Sequence, residues 1–275
     1  HLPNAIALQQ IAQSVSQVMA PLLIALLVGT VFDVGAAYFF MASLFLVVLP
    51  LTASLPNTPP TAKERRPMRT ELVAGVAYVW ADRRLRTLWL GFVGIVVCGF
   101  AFQTLLPGLL RQELDRKPTE IGVIFAVMAV AGLAVSVPLA GLARSKAAWT
   151  LLLAMGSLMA VSFVLVAAAP TYGVVIFAAI PLGIGRSGFM LLDNALLMTH
   201  AEPAFHGRVM SLAMMGFGSQ ALLAPIWGLI ADQIGVRPTF LLVGAVTTAI
   251  TIMVGLSFAQ IRRHGHIVQR ASAKV

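Results

Sequence analysis

Residues 147–185 read AAWTLLLAMGSLMAVSFVLVAAAPTYGVVIFAAIPLGIG, a run without a single Asp, Glu, Lys or Arg that ends at Arg186. One crossing of a bilayer takes about 20 apolar residues. The run is too long for one such helix and long enough for two, with Pro170-Thr171-Tyr172 as the turn between them. Reading outward, further charge-free runs cover 1–32, 34–62, 87–110, 121–143, 209–231 and 238–261. Eight membrane-spanning helices are predicted, over 6–29, 34–55, 88–110, 121–143, 148–169, 173–199, 209–231 and 239–258. The apolar runs do not alternate with period two, which excludes barrel strands.

Composition agrees. Hydrophobic residues make up 59% of the chain and charged residues 11%, against about 45–50% and about 25% in soluble domains. A globule of this size has too little interior to hide that apolar surface, so much of it faces lipid. Disorder requires a polar chain, and a disulfide scaffold requires more than the single Cys98. The net charge of +9 is explained by where the charges fall. With eight spans both ends lie on one side of the membrane. Fourteen of the 19 Lys and Arg residues belong to that side, among them Lys63, Arg65, Arg66, Arg83, Arg84, Arg86 and Arg208. The other side holds Arg111, Arg116, Lys117 and Arg237, and Arg186 lies within a span. Positive charge accumulates on the cytoplasmic side, so both ends are predicted cytoplasmic, in the cytoplasmic (inner) membrane. Anionic lipid accounts for the basic balance and leaves no case for nucleic acid.

The organisation follows: residues 1–55 hold two spans, 56–87 a cytoplasmic linker, 88–258 six spans, and 259–275 a basic tail expected to be irregular. Within the linker, Leu72, Val76, Val79 and Trp80 recur at helical spacing. They predict an amphipathic helix that either lies on the cytoplasmic membrane face or packs on the protein itself. The first and last pairs of spans echo each other, Ser16-Gln17-Val18-Met19-Ala20-Pro21 against Ser219-Gln220-Ala221-Leu222-Leu223-Ala224-Pro225. Such internal duplication is how transporters are commonly built, with the site between repeats. The first pair then closes an N-terminal six-helix half whose opening helices are missing. The opening His1-Leu2-Pro3 lacks an initiator Met and leads almost directly into a span, so the chain is expected to be the C-terminal portion of a longer protein.

The order of elements resembles the major facilitator superfamily, cut before its fifth helix, an all-α bundle with eight of twelve transmembrane helices present. Four motifs carry the likeness. Leu2-Pro3-Asn4-Ala5-Ile6-Ala7-Leu8 enters the first span, and Gly75-Val76-Ala77-Tyr78-Val79-Trp80…Leu85-Arg86 precedes the third. His206-Gly207-Arg208-Val209-Met210-Ser211-Leu212 enters the seventh, and Gly228-Leu229-Ile230-Ala231-Asp232…Gly235 leaves it. Together, over residues 2–258, they resemble the drug:proton antiporter subgroup of macrolide and enterobactin exporters. The resemblance implies export of small amphipathic molecules by rocking of two halves around a cavity, coupled to protons. It also implies a glycine-rich signature ending in Gly-Pro, where this chain has Ser16, Ala20, Pro21 and Ala25.

Arg186 is the sharpest candidate. A charge at the middle of a span costs about 2.5–3.5 kcal/mol on the insertion scale, and persists only if the guanidinium meets water, a carboxylate, backbone carbonyls or an anionic ligand. Asp193 lies seven residues on, about 10 Å along the axis, and Arg186 leans away from it toward the helix N-terminus. By resemblance this span is the family's cavity-lining tenth helix. Arg186 is expected to bind anionic substrate or hold a structural carboxylate, and Asp193 to couple protons, since a carboxyl in a low-dielectric cavity suits a proton carrier. A charge pair locking helices together is the competing reading. Asn194 extends the polar face. In the first span Gln9, Gln10, Gln13, Ser14, Ser16 and Gln17 cover about 160° of the helix surface, lining either a cavity or an interhelical contact. Gly132, Ser136 and Ala140 form a small-residue stripe. Gly183-Ile184-Gly185-Arg186-Ser187-Gly188 matches a dinucleotide fingerprint, but no strand precedes it. No serine elbow, zinc signature or phosphate loop occurs, so neither an enzyme nor a cofactor is expected. The expected partners are the bilayer, a small-molecule substrate, protons and the missing helices. The alternatives are a lysophospholipid flippase of the same fold and a non-transporting membrane scaffold.

Overall fold

The computed structural model describes residues 34–54, 68–117, 120–143, 145, 147–202 and 205–272. The described residues form helices and connecting turns, with no strand. The chain divides into two compact units, His1–Met68 and Arg69–Val275.

In the first unit, α1 (Val34–Ala53) coincides with the predicted span 34–55. Its 20 residues extend about 30 Å, the thickness of the hydrocarbon core. Phe39, Phe45, Leu46 and Leu49 are exposed along it. The hydroxyls of Ser43 and Thr52 donate to the carbonyls of Phe40 and Val48, so these polar groups are satisfied within the helix, as lipid requires. The predicted first span, 6–29, lies outside the described residues.

The second unit opens with α2 (Met68–Ala81) and continues with α3 (Arg83–Gly108), α4 (Ile121–Leu142), α5 (Ala148–Ala168), α6 (Tyr172–His200), α7 (His206–Ile234) and α8 (Val236–Ser272). The last six are long and apolar enough to cross a membrane, α8 over Val236–Ile261. Each matches a span predicted beyond residue 87, and the turn at Pro170-Thr171 falls where expected. Two ends differ from expectation. Helix α3 begins at Arg83, because the Asp82 carboxylate caps it by accepting from the backbone N–H groups of Arg84 (2.6 Å) and Leu85 (3.4 Å). Arg83, Arg84 and Arg86 therefore stand on its first turn rather than in a linker. Helix α8 runs on to Ser272, so the tail expected to be irregular from Ile261 is helical; no proline interrupts it. Past Pro107, α3 loosens into a π-turn over Leu109–Glu113, where the missing proline N–H disturbs the regular ladder.

Helix α6 packs on α4 and α5, α8 on α5 and α3, and α7 on α3. Phe92, Phe102, Phe163, Phe189 and Phe240 fill the interior. Outward, Val130 and Val137 of α4, Leu222 and Leu229 of α7, and Ile252 and Leu256 of α8 are exposed. Helices apolar on both inner and outer surfaces belong in lipid. Gly235, at φ +91° between α7 and α8, takes the left-handed backbone that this one-residue junction needs.

The two ends of the bundle are tied differently. At one, Arg83 donates to the side-chain carbonyl of Gln260, and Trp149 stacks on Phe258 at 4.7 Å. At the other, Arg237 pairs with Glu113 at 3.1 Å and donates to the Ala167 carbonyl at 2.9 Å. Arg83, Arg84, Arg86 and Arg208 thus fall at one end, and Arg111, Arg116 and Arg237 at the other, the separation the charge count predicts.

The apolar set Leu72, Val76, Val79 and Trp80 is not the packed face of α2. Val79 is buried, but Val76 and Trp80 are exposed. Packing falls instead to Gly75, whose missing Cβ would lie 3.3 Å from Arg208 Cβ, and to Tyr78, stacked on Phe205 at 3.9 Å. The Tyr78 oxygen accepts the Glu202 N–H at 2.9 Å. The helix packs on the protein through a gap and a flat ring, while Val73, Val76 and Trp80 keep its other face apolar and open.

Candidate functional site

The polar residues singled out in the sequence sit on α6, and the packing of that helix fixes where each stands. The run Gly183–Gly188 lies inside it. A Cβ on Gly183 would collide with the backbone of Met128 on α4. One on Gly185 would lie 2.8 Å from the Met155 carbonyl and the Met159 amide nitrogen of α5. One on Gly188 would meet Met155 Sδ at 2.6 Å. From α4, Gly132 makes room for the Ser187 side chain. These glycines serve close helix contact, and the fingerprint-like spacing has that explanation alone. The small-residue stripe of α4 works in the same way at Gly132, while its third member, Ala140, is exposed.

Arg186 occupies the midpoint of the 29-residue α6. It is half-buried, and its guanidinium carbon lies 4.4 Å from the ring centre of Phe100 on α3. Among the described residues it forms no ion pair or hydrogen bond. A cation–π contact contributes about 0.5–2 kcal/mol, less than the roughly 2.5–3.5 kcal/mol that a mid-membrane arginine costs. It also engages only the flat face of the guanidinium and leaves the five N–H donors in the plane unmet by it. No described carboxylate takes the role of structural partner.

Phe100 belongs to a cluster shared by three helices. It meets Phe217 of α7 edge-on at 6.1 Å, and Phe217 meets Phe92 of α3 at 5.4 Å. Val93 and Met190 pack against this group. Arg186, Met190 and Asn194 follow at four-residue steps along α6, all partly open. The Asn194 amide donates to the Met190 carbonyl at 2.9 Å, while its buried Oδ1 has no partner among the described residues.

Asp193 is fully buried, and neither carboxylate oxygen has a hydrogen-bond partner among the described residues. It is not paired with Arg186, as the direction of the arginine side chain predicts. Phe189, one turn earlier, sits near Gly156 of α5 and Thr251 of α8. An ionised carboxylate without a partner is among the costliest groups to enclose. A fold keeps such a group when something outside the static packing acts on it.

The Major Facilitator Superfamily model matches residues 1–219. The chain belongs to that superfamily. Its members are membrane transporters rather than enzymes, which agrees with six crossing-length helices among the described residues and a charged residue halfway along one of them. The match ends within α7, so the motif Gly228…Gly235 stands on its own residues. Of the other candidates, Gln10, Gln13, Ser16, Gln17, Ala20 and Pro21 lie outside the described residues. Gly207 and Arg208 form the first turn of α7, with the Arg208 guanidinium 5.0 Å from the Phe205 ring centre. Asp232 is exposed near the other end of α7.

Phe100 and Phe217 are the functional candidates that sequence reading missed. Phenylalanine in an apolar run carries no signal, and only the three-dimensional approach to Arg186 distinguishes these two. The buried threonines of α8 also escaped notice. Thr239, Thr247 and Thr251 each donate to a carbonyl four residues back, at 2.7, 2.7 and 2.8 Å, and so cost little in an apolar core.

Proposed function

We propose that the chain belongs to a secondary transporter that exports small amphipathic molecules, drug-like or siderophore-like, by proton-coupled alternating access. It resides in the cytoplasmic membrane with both chain ends on the cytoplasmic side, as the distribution of Lys and Arg supports. The observation that carries the reading is Arg186, partly open at the midpoint of a membrane-length helix with no described carboxylate beside it. Transporter substrate sites lie near the bilayer midplane, and a cation kept there at a cost is a substrate or coupling residue by default. Arg186 and Asn194 face substrate; Asp193, enclosed and without a hydrogen-bond partner among the described residues, takes up and releases the coupling proton when water reaches it. The experiment is dye efflux from proteoliposomes of the full-length protein under an imposed pH gradient. Gradient-driven efflux is expected in the wild type, with Asp193→Asn uncoupled from the gradient. Efflux indifferent to the gradient overturns proton coupling, and no efflux at all overturns the exporter. The same arginine favours one second reading, a lysophospholipid flippase in which it meets the head-group phosphate, and a lipid translocation assay separates the two.

A further inference from the structure

We infer that the substrate class is an aromatic organic anion, held through its acidic group by Arg186 and through its ring by the Phe100–Phe217 cluster. The inference rests on the transporter reading and narrows it. Three features of geometry support it. The guanidinium lies over Phe100 at 4.4 Å, so its face is occupied while its in-plane N–H donors remain for a bidentate oxyanion. A compact ammonium ion would instead meet a like charge at this point. Next, the ring that holds the guanidinium is itself edge-on to Phe217 at 6.1 Å. Edge-to-face pairs of this kind accept a further ring in the same geometry. Finally, Phe100, Phe217, Met190 and Arg186 are all partly open, whereas Phe92 behind them is fully buried. The cluster thus has a closed base and an open, aromatic and cationic front. Met190, one turn from Arg186, supplies an adaptable apolar contact beside the cation.

Charge and ring are separable requirements, which gives the test. The full-length protein in nanodiscs is equilibrated by dialysis with 2-naphthoate, with 2-naphthylmethylammonium, or with decanoate, and empty nanodiscs correct for partition into lipid. The expected result is naphthoate binding at least about tenfold tighter than the ammonium, the order of a charge-assisted hydrogen bond. Naphthoate also exceeds decanoate. Arg186→Gln collapses the anion preference to within about twofold, Arg186→Lys retains part of it, and Phe100→Leu reduces naphthoate toward the decanoate level. Binding of the ammonium by Arg186→Gln shows that the variant is folded. Equal affinity for naphthoate and the ammonium in the wild type overturns the inference. So does decanoate, or a lysophospholipid added as competitor, binding as tightly as naphthoate. Vesicle flux separates this from the transporter reading. Export of the ammonium probe alone leaves a transporter of another substrate class, and anion-selective binding without flux of any probe contradicts the transporter instead.

Discussion

Two sets of residues are interleaved on α6 and do opposite work. Gly183, Gly185 and Gly188 bring its backbone against α4 and α5 so closely that a methyl group has no room. Arg186 and Met190, threaded between and after them, remain partly open beside the Phe100–Phe217 cluster, and Asn194 follows one turn on. In an apolar solvent the hydrophobic effect cannot hold helices together, so contact depends on small residues and van der Waals fit. The glycines make α6 a fixed strut. A fixed strut can hold a charge at mid-membrane at a constant depth, which a substrate site needs. The small residues are the scaffold, and the large polar ones occupy the side that stays partly open.

The largest effect is expected from breaking the strut. Gly183→Ala places a Cβ in the Met128 backbone and should cost about 3 kcal/mol, the upper range for overpacking, read as a fall in thermal midpoint in detergent. Next comes Arg186→Gln, which should lower transport at least about tenfold, equivalent to about 1.4 kcal/mol. The thermal midpoint should hold or rise, because the cost of the mid-membrane charge disappears. A midpoint that drops as far as for Gly183→Ala would mean that Arg186 locks helices instead. A smaller effect is expected at the end of the bundle. Tyr78→Phe keeps the stack on Phe205 but loses the acceptor for the Glu202 N–H, a loss of about 1 kcal/mol visible as faster proteolysis between α6 and α7. The smallest is Gly141→Ala on α4, where no atom of the described residues lies within 4 Å of the added carbon. Stability should rise by only about 0.5 kcal/mol, the low end of the helix preference of alanine over glycine, because position 141 lies in the last turn of α4.

Much of the fold was legible because charge is the one feature a membrane span cannot carry freely. Uncharged runs gave the six described spans beyond residue 87 and the turn at Pro170, and the cost of an isolated arginine drew attention to Arg186. Partner choice was not legible, since lipid-facing and helix-facing surfaces are both apolar and lack the polar contrast that marks a core in water. Phe100 and Phe217 therefore looked like any other phenylalanines. The same blindness left the packed face of α2 open between membrane and protein: Val76 and Trp80 stay exposed, and Gly75 and Tyr78 make the contact with the protein because shape, not hydrophobicity, decides there. The helical course of α8 past Ile261 was missed because basic composition was weighed above the absence of any helix-breaking proline.

The central claim is that the middle of α6 opens to water at Arg186 while the outer surface of α4 opens to lipid. With Cys98→Ser as background, Arg186→Cys and Val137→Cys report the two surfaces, Val137 being 74% exposed. Membrane vesicles of the full-length protein are treated with a water-soluble, membrane-impermeant thiosulfonate from either side. The account predicts that the cysteine at 186 reacts, while the one at 137 reacts only with a lipid-soluble maleimide. If position 186 behaves as position 137 does, inert to the impermeant reagent from both sides, α6 carries no aqueous site and the account is contradicted.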